Sequence, residues 1–175
     1  MYQNFSMMIN KKTIVALLFL FTTIFTFAQQ KKTKDQHIPE LNQQIIDYVS
    51  SVIGKQVDRG ECWDLANQAL TRANADWDRA FVYGREIDPT KDKVYPGDII
   101  QFKNVKVEYR EGNTTYKQEM KQHTAIVYKV LRKGVYELAH QNTGFSGRKV
   151  GLSKFDLSTV KKGKMWFYRP VKNLK

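Results

Sequence analysis

"GECWDLANQAL", residues 60–70, carries the single cysteine of this 175-residue chain. Leu65, Ala66, Ala69, Leu70 and Ala73 recur at helical spacing, and Cys62 falls on the same side, one turn ahead of Ala66. The spacing predicts an amphipathic helix with a thiol in its first turn. Unpaired N–H groups and the aligned peptide dipoles at such a helix mouth favour thiolate over thiol. The dipole supplies about 0.3–1 kcal/mol, whereas each unit of pKa shift requires about 1.4 kcal/mol. A reactive Cys62 therefore needs a neighbouring imidazolium, and without one it is a small buried core residue.

Three histidines are present. His37 lies in a polar arm, which leaves His123 and His140 in "HTAIVYKVLRKGVYELAHQ", a predicted hairpin turning about Arg132-Lys133-Gly134. With an even loop, paired positions have numbers summing to an odd total, and His123, His140 and Asn142 share one side of the hairpin. An odd loop separates them. In the even register the residues supply a nucleophile, a base and an orienting group: Cys62 attacks a carbonyl, His123 takes the thiol proton, and His140 or Asn142 fixes the imidazole. One thiolate and two imidazoles are also a zinc-type donor set, but nothing here resembles a dedicated zinc motif. No metal and no cofactor are expected.

Outward from this core, Leu41, Ile45, Val49 and Val52 predict a helix over residues 39–53, opened by Pro39 and stopped by Gly54. Beyond Trp77 the pattern changes to short strands. "VYPGDIIQF" turns at Pro96-Gly97 into a strand over 99–102, "VKVEYREGNTTYKQEM" reads as a hairpin about Glu111-Gly112-Asn113, and "KMWFYRPV" is a last strand ended by Pro170. Helices first and antiparallel strands after them predict an α+β domain with the helices on one side of the sheet. The tryptophans are expected in the core or in a groove wall.

At the start of the chain, Lys11 and Lys12 precede an apolar run from Ile14 to Phe27, followed by the small Ala28. This pattern predicts a secretory signal over 1–28, a polar linker over 29–37 and one domain over 38–175, with no stable membrane span after cleavage. The product is expected to be secreted or periplasmic and monomeric. A lone cysteine in an oxidising compartment is an intermolecular bridge or a free thiol. The formal charge of +12 falls to +10 without Lys11 and Lys12, because every acidic residue lies beyond Ala28. An anionic partner follows. The basic residues are spread along the chain and form no nucleic-acid stripe, so cell-wall polymers are the expected counterpart.

Five blocks in order, "GECWDLANQAL", "YPGDIIQF", "QHTAIVYKV", "AHQN" and "WFYRP", resemble the CHAP family, the cysteine, histidine-dependent amidohydrolases/peptidases of papain-like fold related to NlpC-type cell-wall peptidases. The resemblance implies a papain-like fold, Cys62 as nucleophile, His123 as base, and His140 or Asn142 as third member. It implies amide cleavage in peptidoglycan peptide stems. Gln56 stands at the spacing of papain's oxyanion-hole glutamine, and Asp64 is positioned to orient a substrate amine or to favour the helix start. His140 stands where CHAP members commonly have Glu, and Glu61 where Gln is usual; an anion beside Cys62 opposes its ionisation. "GECWDLANQAL", "PGDIIQF" and "HTAIV" are also similar to a cysteine-proteinase-fold domain of fungal cortical actin-patch proteins. The alternative function is accordingly an inactive papain-like binding or scaffold module at the cell envelope.

Overall fold

A computed structural model describes residues 37–173. The expected signal and nearly all of the linker lie outside the described residues. Ile38–Lys175 form one compact unit. Two helices, α1 (Glu40–Val52) and α2 (Cys62–Arg72), precede six strands: β1 (Arg85–Ile87), β2 (Ile99–Glu111), β3 (Thr114–Arg132), β4 (Val135–His140), β5 (Gly151–Asp156) and β6 (Val160–Arg169). Among the described residues no helix is long and apolar enough to cross a membrane.

The helices form where the apolar spacing places them, and α2 begins at Cys62 itself. Its start is fixed by a reciprocal cap: Glu61 accepts from the N3 backbone while Asp64 accepts from the Glu61 N–H. Gly60 just before it has φ of +83°, and a Cβ there would stand 2.6 Å from Arg148 Cβ, so this turn requires glycine.

The strands are longer than the sequence predicts. The 99–102 strand and the first arm of the next hairpin are one strand, β2, and its partner arm continues through "HTAIV" as the 19-residue β3. A register shift between Lys103 and Lys106, with Asn104 at φ of +51°, absorbs the break in pattern between the two halves of β2. β1 and β5 have no counterpart in the sequence reading. All six strands make one antiparallel sheet in the order β1-β6-β2-β3-β4-β5.

Each side of this sheet has its own core. On the helix face, Ile99, Ile126, Ala139 and Tyr168 pack with Ile45, Val49, Leu65, Ala66, Ala69 and Leu70 of the two helices. The far face buries Ile100, Phe102, Ala125, Val127, Leu138, Phe155 and Phe167, joined by Val94 from the segment before β2 and Leu157 from the turn after β5. Ala125, Ile126 and Val127 are thus all buried, on alternating sides.

The helix face is fastened by an ion pair. Both nitrogens of the Arg169 fork, Nε and Nη2, donate to the fully buried Asp98 carboxylate at 2.8 Å, and Asn42 of α1 and the Tyr95 N–H donate to the same group. The Asp of "PGD" and the Arg of "WFYRP" therefore tie α1, β2 and β6 together.

Candidate functional site

The mouth of α2 is built by the loop over residues 57–61. Gln141, fully buried, accepts from Val57 N–H at 3.1 Å and donates to the carbonyls of Val57 and Glu61 at 3.0 and 2.8 Å. Asn142, at φ of +59°, donates to the Glu61 carboxylate at 2.6 Å. Asp64 is 2 % exposed and fully engaged, accepting from the Arg59 and Glu61 N–H groups and the Arg59 guanidinium. It holds the turn ahead of Cys62. Gln56 is exposed and donates its amide to the Asp58 carbonyl at 3.1 Å, within its own loop.

Cys62 is half-buried and unpaired by any disulfide. Backbone N–H groups of Thr124 and Trp63 point at its sulfur, but burial, first, and then the Glu61 carboxylate push the thiol pKa above its ordinary value. The side chain that β3 presents to this region is Thr124. Its hydroxyl lies 2.9 Å from the Tyr83 hydroxyl and donates to Gln101 Oε1 at 2.9 Å; Tyr83 also donates to Gln101 at 3.1 Å. Tyr83 belongs to the helix-face core, stacked on the buried Trp77 with centroids 5.6 Å apart.

His123, one residue earlier, faces the other way. It pairs with Phe102 across β2, its ring 6.1 Å from the Phe102 ring, and it lies on the side of Ala125 and Val127. The two-residue loop between β3 and β4 is even, and the two one-residue register shifts in this hairpin together move the pairing by two, which keeps its parity, so His123 and His140 share a side as in the even register. His123 Nε2 is 2.9 Å from His140 Nδ1, and His140 Nε2 is 2.9 Å from Ser153 Oγ. The structure therefore joins two of the expected residues, His123 and His140. Cys62 opens α2, which packs on the opposite side of β3, and among the described residues no hydrogen bond links its sulfur to either ring. Asn142 leaves the strand after His140 and turns to the helix face instead of joining the imidazoles. The three zinc-type donors are divided between the two faces for the same reason.

Burial holds both imidazoles uncharged: the His123 pKa is lowered to about 4, and that of His140 to about 3, in the latter case also by its neighbour His123. They are 8 % and 5 % exposed. A neutral thiol on one face and neutral imidazoles on the other form no ion pair.

Two open cavities flank the sheet. On the helix face, about 390 Å³ is lined by Phe81, Val82, Gln101, Lys103, Gln122, Trp166 and Tyr168. On the far face, about 620 Å³ is bounded in part by Phe102, Val107, Met120, His140, Ser153 and Phe155. Sequence reasoning missed Gln141, Thr124 and Ser153. Only the "HQN" segment hinted at the first.

Two helices on an antiparallel sheet, with a lone cysteine opening the second, define a papain-like cysteine-proteinase fold. The sequence model of the AIM3/BBC1 cysteine proteinase-fold domain matches residues 30–174, and the chain belongs to that family. No curated protein matches the chain. Among solved structures, "The crystal structure of Ly7917" is similar at 15 % identity and a TM-score of 0.44; the matched region covers 73 % of this chain and 62 % of that one.

Proposed function

We propose that this domain is a binding module on a papain-like frame, and that its cleft holds an extended peptide combining apolar and acidic residues without cleaving it. The supporting observation is the division of thiol and imidazoles between the two faces of β3, which leaves Cys62 without a base. The helix-face cavity has the features of a peptide site. Phe81 and Val82 are 45 % and 38 % exposed at its rim, and Trp166 walls it. Lys103 stands opposite Lys164 in the β2–β6 register, which sets two ammonium groups beside the apolar surface. With a charge of +10 once the signal is removed, an acidic segment at the cell envelope is the partner these features fit.

The test is titration of an acidic, leucine-rich peptide followed by tryptophan fluorescence, with mass spectrometry of the peptide afterwards. Cys62→Ala binds as wild type, and the peptide is recovered intact. Lys103→Glu with Lys164→Glu weakens binding about tenfold or more, corresponding to about 1.4 kcal/mol. Equal binding by the charge-reversed protein contradicts the cleft assignment.

A second reading is amide hydrolysis in peptidoglycan stems. One observation favours it: the sulfur sits at a helix mouth with the Thr124 and Trp63 N–H groups directed at it, donors that suit a thiolate. Muropeptides released from isolated peptidoglycan by wild type but not by Cys62→Ala would establish it and remove the binding-only reading.

A further inference from the structure

The polar chain Ser153–His140–His123 is not used by the cleft reading, and it stands on the far face, at the larger cavity. Ser153 pairs with Leu138 across β4, which turns its hydroxyl to the side of Leu138, Phe102 and Phe155. Both His140 and Ser153 line the cavity, beside Phe102, Met120 and Phe155. The base and its supporting ring are nearly sealed, whereas Ser153 is half-exposed. A hydroxyl thus reaches the cavity while the groups behind it are locked by packing.

We propose that Ser153 is a nucleophile for small carboxylic esters with an apolar acyl group, with His140 as its base and His123 as the positioning residue. The two contacts of 2.9 Å set the three groups in series. If Ser153 donates to His140 Nε2, then His140 carries its proton on Nδ1 and donates to His123 Nε2, and His123 is protonated on Nδ1. This tautomer pair satisfies both contacts with no charge anywhere in the chain; the reversed pair, in which each ring donates towards Ser153, does so too, and the reaction requires the first. The nucleophile, the base within hydrogen-bond reach and the group orienting the base have the relation that covalent catalysis requires.

The reaction balances within the site. Ser153 Oγ bonds to the ester carbonyl carbon as its proton passes to His140 Nε2; the C–O bond to the alcohol breaks, and the alkoxide takes that proton. Water then attacks the acyl carbon, gives its proton to His140 Nε2, and the proton returns to Ser153 Oγ as the acyl group leaves as an acid. The apolar walls of Phe102, Met120 and Phe155 accept the acyl chain. Among the described residues β5 is the edge strand of the sheet, so Ser153 stands at the sheet's rim and not in its centre. A neutral His123 stabilises an imidazolium less than a carboxylate does, and burial holds the His140 pKa at about 3, so His140 is a weak base. Activated esters are therefore the substrates, and peptides are not.

The experiment is labelling of the full chain with a fluorophosphonate, located by peptide mass mapping, together with hydrolysis of p-nitrophenyl butyrate. Wild type and Cys62→Ala carry the adduct on Ser153. Ser153→Ala carries none and loses the esterase rate, and His140→Gln lowers both by roughly 100-fold or more. His123→Gln lowers the rate less and shifts the pH dependence of labelling, which loss of packing alone does not do. Near-UV circular dichroism matching wild type establishes that each variant is folded, and Ser153→Cys, which keeps the volume, serves where Ser153→Ala does not fold: its thiol alkylates faster with His140 present than with Gln. No adduct on Ser153, or labelling equal in wild type and His140→Gln, overturns the proposal.

Discussion

The two faces of one sheet hold the two halves of what the sequence reads as a single site. On the helix face sits the thiol, with Thr124, Tyr83 and Gln101 arranged below it. On the far face sit the imidazoles, in register with each other and with a serine. Strand geometry produces this division, because successive side chains of β3 point to opposite sides and His123 and Thr124 are adjacent. The order of motifs along a chain can match a hydrolase, therefore, while one residue of phase decides whether its groups meet.

The largest effect concerns the fastening of the helix face. Asp98→Ala leaves the Arg169 guanidinium and Asn42 without their buried acceptor, and it lowers unfolding free energy by about 3–5 kcal/mol in denaturant titration. A loss below 1 kcal/mol would show that the helices stay on the sheet by apolar contact alone.

The far face is pH-sensitive through its two imidazoles. Above about pH 6.5 both imidazoles are neutral in folded and unfolded chains, so they contribute nothing to the pH dependence. As the pH falls below that value the unfolded rings take up protons, while His123 and His140 resist until about 4 and about 3. The unfolded state binds more protons in this window, so stability is lost as the pH falls from about 6.5 towards 3, on the order of a few kcal/mol in total. Urea midpoints at pH 7.0 and 4.5 measure it. His123→Gln with His140→Gln flattens the difference; an unchanged difference assigns it to carboxylates such as Asp88 and Asp156, whose pKa values their hydrogen bonds lower.

A smaller effect sharpens the account of the thiol's loop. Gln141→Leu removes three hydrogen bonds to Val57 and Glu61 and costs about 1–3 kcal/mol. The same variant loosens the mouth of α2, so Cys62 alkylates faster than in wild type while the Ser153 contact to His140 is untouched.

Much of the architecture was legible in the residues. Apolar spacing placed α1 and α2 to within a residue or so, and Gly112 and Gly134 marked the two hairpin turns. That His123 and His140 share a side depends on loop parity, which the residues left open, and on two register shifts that they did not show. Which face they occupy was not legible either, for a physical reason: Ala125, Ile126 and Val127 are all buried, so apolar alternation carries no sign in this part of β3. β5 was missed because "GLSKFD" alternates weakly and buries only Phe155. Its omission concealed Ser153. Gln141 and the Asp98–Arg169 pair were illegible because their partners are 84 and 71 residues away in sequence.

The division between the faces is tested most directly by the rate at which iodoacetamide alkylates Cys62 as a function of pH, in wild type and in His123→Gln. The account predicts one curve for both proteins, slow at neutral pH and rising only above the ordinary range of a free thiol, because burial and Glu61 disfavour the thiolate. A fast plateau near pH 7 that vanishes in His123→Gln would contradict it, and would place thiol and imidazole together on one side of the sheet.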